Sequence, residues 1–171
     1  MQSATLSCGE PLALWYDLVR DGASRAGTCL PESVESYLVF VLQRHQRDVA
    51  LGGRTLALER FDAEDRIGQL RADALRDVGD RCLLIAGLFP RLAERRRVGP
   101  DYYAALGRSA YAGVAAATRA GYAELFAQLA QAFNAMRQVL LGVGRQVASD
   151  IGSEPSLARA EPWAGIRILN S

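Results

Sequence analysis

Val34, Tyr37, Leu38, Val41, Leu42 and His45 stand at i, i+3, i+4, i+7, i+8 and i+11. That spacing puts all six on one stripe of an α-helix and would scatter them over both faces of a strand. Glu35, Gln43, Arg44 and Arg47 lie largely opposite, while Val39 and Phe40 widen the apolar surface, so this helix belongs in the middle of the fold. The same period returns along the chain, no run alternates long enough for a sheet, and no internal repeat is evident. The pattern predicts an all-α fold, a bundle of five to seven helices with an irregular C-terminal tail.

Boundaries follow from proline and glycine. Residues 1 to 9 read as a loose leader; Pro11 suits a first helical turn, with Leu12, Trp15, Leu18 and Val19 at helical spacing, and Gly27 ends that helix. Pro31 starts the second helix and Gly52-Gly53 breaks its pattern. A short helix over 55 to 63 uses Leu56, Leu58 and Phe61. A longer one runs from about Asp65 to Leu88, with Ile67, Leu70, Ala74, Val78, Cys82, Ile85 and Phe89 on its inner face, and Pro90 stops it. Arg91 to Arg97 is a charged connector of one helical turn or two. Gly99-Pro100-Asp101 opens a helix through Tyr102, Tyr103, Leu106, Ala110, Val114 and Ala117, and Gly121 marks a bend or a cap. The last long helix covers about Tyr122 to Ser149, with Leu125, Leu129, Ala132, Phe133, Met136, Leu140 and Val143 inward. Residues 1–149 therefore form one helical domain. Residues 150–171 form an irregular tail, whose apolar end from Trp163 to Leu169 is expected to dock on the bundle or on a second subunit.

Composition narrows the function classes. A chain of 171 residues can bury a core without disulfides or metal. A net charge of +1 disfavours broad electrostatic capture by nucleic acid or anionic lipid. Cys8, Cys29 and Cys82 are odd in number and widely spaced, with no zinc pattern and no CxxC pair, which points to a reducing, cytoplasmic compartment. Leu6-Ser7-Cys8-Gly9 lacks the basic start and apolar stretch of a lipoprotein signal. The most apolar run, Cys82 to Phe89, is too short to span a bilayer, so no membrane association is expected.

Chemistry concentrates on one helix. Asp77 and Asp80 lie off its inner face, near the point where Leu83 and Leu84 make it apolar all round, and a carboxylate there needs a partner. One reading makes Asp77, Asp80, Arg81 and Arg108 a ligand-binding or acid–base cluster. The other, which weighs more, makes them struts: Asp77 with Arg81, Arg76 with Asp80, and Asp80 with Arg108 across to the next helix. Gly79, Gly87, Gly107 and Gly113 inside helices signal close backbone approach, either within the chain, at a dimer seam or at a slot for a flat ligand. Arg95, Arg96 and Arg97 are a candidate anion patch, but no aromatic residue interleaves them, so nucleic acid is disfavoured as a partner. His45 is the only histidine, so no His-rich metal site or Glu-x-x-His pair is available, and no metal is expected. With no lysine there is no phosphate loop, Ser109 lies outside a nucleophile elbow, and no cofactor is implied.

The segments Ser36-Tyr-Leu-Val-Phe40, Asp77-Val-Gly-Asp-Arg-Cys-Leu-Leu-Ile-Ala-Gly-Leu-Phe-Pro90, Arg95-Arg-Arg-Val98, Tyr102-Tyr103 and Leu106-Gly-Arg-Ser-Ala-Tyr111 resemble a family of uncharacterised proteobacterial proteins. The likeness covers roughly residues 12 to 115 and implies a bacterial origin, without bringing an activity. All twenty Lys-or-Arg positions are arginine, which fits an arginine-rich bacterial codon bias. The expectation is a non-enzymatic interaction or adaptor module that self-associates. The alternative is a small-ligand binder or enzyme built on the Asp/Arg cluster.

Overall fold

Proline and glycine set several helix boundaries in the computed structural model, which describes residues 11–46 and 56–151. Among those residues every regular element is an α-helix: α1 (Pro11–Ala26), α2 (Glu32–His45), α3 (Leu56–Glu64), α4 (Gly68–Gly87), α5 (Pro90–Arg95), α6 (Pro100–Ala117), α7 (Ala120–Gln131) and α8 (Phe133–Ile151). Pro90 and Pro100 occupy first turns, where a missing N–H breaks no helical bond. Gly27 ends α1 with a φ of 62°, and the Thr28 N–H donates back to the Ala23 carbonyl at 3.0 Å, closing the last turn. The leader over residues 1 to 9, the Gly52-Gly53 break and the apolar tail end from Trp163 to Leu169 lie outside the described residues.

The all-α bundle agrees with the periodicity, and two boundaries raise the helix number among the described residues to eight. The Arg91–Arg97 connector holds the six-residue α5. The helix read from Tyr122 to Ser149 is broken at Ala132, whose φ of −82° and ψ of 4° leave the helical basin. No proline or glycine marks that break, so the periodicity ran through it. The bend expected at Gly121 falls just before it: Thr118 and Arg119 are extended, and Ala120 takes a left-handed φ of 53°.

The centre of the fold is α4, which packs against α3, α6 and α8, while α1 packs on α8 and α2. From Cys82 to Gly87 it is buried on every side, as the run of apolar residues there predicts. Burial also pushes the free Cys82 thiol well above its usual range, so the side chain acts as a small hydrophobe. The helix glycines face their own chain: Gly79 meets the Tyr111 ring, Gly87 meets Leu140, Gly107 meets Phe133 and Cys82, and Gly113 meets Leu75. Their slim profile thus serves packing within the chain, the first of the readings open to them. No helix among the described residues is long and apolar enough to cross a membrane.

The first turns of α4 depart from the expected inner face. Ile67 precedes the helix with extended backbone (φ −120°, ψ 146°), so it does not share the helical stripe. The buried stripe runs through Ala72, Leu75, Val78 and Cys82, and at 100° per residue Leu70 falls about 140° round from Leu75. Both Ile67 and Leu70 are exposed. On α3 only Leu56 and Ala63 are buried, and Leu58 and Phe61 point to solvent instead of inward.

Candidate functional site

Asp80 sits on α4 at the entry to its fully enclosed half, with none of its surface exposed. A carboxylate in such a place must be supplied with donors. Two come from aromatic side chains on neighbouring helices: the Tyr37 hydroxyl of α2 and the Tyr111 hydroxyl of α6 each donate to Oδ1 at 2.8 Å. Gly79 leaves room for the Tyr111 ring against the α4 backbone. The rings of Tyr37 and Tyr111 meet edge to face at 6.0 Å, and both stand edge-on to Phe126 at 5.3 and 5.5 Å. Burial raises both phenols, and the Asp80 charge raises them further. They therefore stay protonated and serve as donors rather than as bases.

The second carboxylate oxygen, Oδ2, lies 3.6 Å from Arg44 Nη1 and 3.7 Å from His45 Nε2, beyond hydrogen-bond length but within ion-pair range. Arg44 also reaches Asp77 at 3.5 Å, and Arg81 bridges Asp77 and Glu59 at 3.0 Å each. The result is a polar network that runs from α3 through α4 to α2 and α6. Its outer half, at Asp77, Arg44 and Arg81, is partly exposed, and its inner end, at Asp80, is dry.

The sequence found part of this network. The Asp77–Arg81 pair forms as expected. Arg76 does not reach Asp80; it pairs with Asp73 at 3.6 Å and donates to the Tyr122 hydroxyl at 3.2 Å. Arg108 is exposed and stands outside the cluster, while Tyr111, three residues on in α6, holds Asp80 in its place. That removes one member from the proposed Asp77, Asp80, Arg81 and Arg108 constellation. Glu59, Tyr37, Arg44, His45 and Tyr111 were not singled out as its members. A tyrosine in an apolar stripe was the available signal, since a buried hydroxyl requires a partner.

The other candidates are simpler. Arg95 and Arg97 are exposed and Arg96 is half-buried, in a turn where Arg97 takes a left-handed φ of 58°. A groove of about 340 Å³ lies between α1 and α2, lined by Tyr16, Asp17, Arg20, Glu32, Glu35 and Ser36. Arg20 and Glu35 pair across it at 3.1 Å, and none of its lining residues belongs to the Asp80 network. Among the described residues no group of three or more His, Cys, Asp or Glu side chains is placed to hold a metal ion.

Four large apolar side chains on α3 and at the start of α4 are exposed. Leu58, Phe61, Ile67 and Leu70 are 62%, 66%, 87% and 67% exposed. Large apolar side chains are usually scattered singly over a surface, and four on one hairpin are not. Comparison with protein-family models, with curated proteins and with solved structures gives no match for this chain.

Proposed function

We propose that this chain is a non-enzymatic protein-interaction or adaptor module of the bacterial cytoplasm, which docks a protein through the outer side of the α3–α4 hairpin. The observation that carries the reading is the exposure of Leu58, Phe61, Ile67 and Leu70 on one short stretch of chain, residues 58 to 70. The Asp80 network supports the same reading from the other side. Its carboxylate is taken up by two tyrosine hydroxyls and flanked by Arg44 and His45, and Asp77 by two arginines. Hydroxyls fixed on Oδ1 and basic side chains within ion-pair range of Oδ2 suit a strut between helices better than acid–base work.

An apolar fluorescent dye tests the reading at sub-micromolar protein, where weak assemblies come apart. The wild-type chain should bind the dye. Phe61→Glu/Leu70→Glu should abolish that binding while helix content and melting temperature stay unchanged. A wild-type monomer that binds no dye overturns the proposal.

A further inference from the structure

We infer that His45 is held as the imidazolium by the Asp80 carboxylate, and that this clasp between α2 and α4 loosens as rising pH removes the proton. The first support is geometry. His45 is buried and Asp80 fully enclosed, with His45 Nε2 3.7 Å from Asp80 Oδ2. Oδ1 already accepts the Tyr37 and Tyr111 hydroxyls at 2.8 Å each, which favours the ionised acid. Its charge faces the imidazole from Oδ2 in a dry place, where attraction is far stronger than in water.

The second support is a shortage of positive charge around that acid. Arg44 is divided between Asp77 at 3.5 Å and Asp80 at 3.6 Å, and Arg81 between Asp77 and Glu59 at 3.0 Å each. Within this network of described residues three carboxylates share two guanidinium groups. A neutral ring would leave one negative charge unmatched, and a protonated His45 balances the set. The third support is position. His45 closes the last turn of α2, where carbonyls without helical partners favour a cation. Burial by itself disfavours the charged ring, and Arg44 beside it does the same. Burial disfavours an uncompensated carboxylate equally, however, and joining the two ions answers both penalties.

A proton held more tightly in the folded chain stabilises it fully below the ~6.5 of a free imidazole. That contribution is lost as pH rises through the folded titration point. The chain has a single histidine, so one ring-proton signal in a nuclear magnetic resonance titration tests this directly. In the folded wild type it should titrate about one pH unit or more above its value in the urea-unfolded chain. Arg44→Gln should move it higher still. Asp80→Asn, which keeps an oxygen for both tyrosines, should bring it down by about one unit or more. The urea midpoint of the wild type should fall between about pH 6 and pH 8, and His45→Gln should remove that fall. A ring that titrates at or below the unfolded value overturns the inference. So does one that Arg44→Gln lowers or leaves unmoved, and this second result decides the matter if Asp80→Asn does not fold.

Discussion

Replacing Asp80 by alanine should loosen three helices at once, α2, α4 and α6. The residue is fully enclosed and accepts the hydroxyls of Tyr37 and Tyr111 at 2.8 Å each. Its loss leaves two donors in a dry place, and each buried unsatisfied hydroxyl costs about 1–3 kcal/mol. Arg44 and His45 also lose a carboxylate oxygen at 3.6 and 3.7 Å. Breaking a buried, paired charge from one side typically costs about 3–5 kcal/mol, and that is the loss expected here. At roughly 2–4 °C per kcal/mol for a chain of this length, the midpoint should fall by roughly 10 °C or more. Urea unfolding followed by helical ellipticity reads the change directly. The control is Asp80→Leu/Tyr37→Phe/Tyr111→Phe, which removes the charge together with both hydroxyls. Buried polar groups replaced as a set by apolar ones often cost little, so the triple variant should lie within about 2 kcal/mol of wild type. The reasoning is refuted if Asp80→Ala costs under about 1 kcal/mol, or if the triple variant loses as much as the single one.

Three further outcomes follow from the same contacts. Tyr37 and Tyr111 are raised above the ordinary phenol value of about 10 by burial and by the Asp80 charge; a raised acid keeps its full stabilising effect below pH ~10 and loses it above, by as much as about 1.4 kcal/mol per pH unit for each ring. Phenolate absorbance should therefore show these two rings ionising only with unfolding, and Tyr37→Phe/Tyr111→Phe should flatten the alkaline loss of stability; ionisation of all six tyrosines in the folded chain contradicts this. Gly79→Ala places a methyl against the Tyr111 ring and should cost about 1–3 kcal/mol by overpacking, measured by urea unfolding. Arg97→Gly relieves a left-handed φ of 58° and should stabilise by about 1 kcal/mol, whereas a loss of stability would show that the arginine side chain is anchored.

The sequence carried the architecture because burial repeats with the helix. The α2 stripe from Val34 to His45 is buried at each of its six positions. The all-round burial of α4 after Asp80 was readable from Leu83 and Leu84. What it did not carry were features without a period. The break at Ala132 has no marker residue, and the start of α4 at Gly68 rather than Asp65 removed Ile67 from the stripe. The Asp80 site was half legible for a similar reason. The carboxylate announced a need for donors, but which neighbouring helix turned a tyrosine or an arginine toward it depends on how the helices pack. Arg108 and Tyr111 lie within one turn of each other on α6, and about 60° of helix rotation decided between them. The hairpin face was missed outright, since Leu58, Phe61, Ile67 and Leu70 look like core residues on composition alone.

Hydrogen exchange with and without the apolar dye tests the central claim, that this protein works by association through the α3–α4 hairpin. Peptides covering residues 56 to 70 should exchange fast in the free protein and slow markedly when the dye is bound, while peptides around Asp80 and Tyr111 stay protected throughout. Exchange over 56 to 70 that does not respond to the dye, with slowing elsewhere on the bundle, would contradict it.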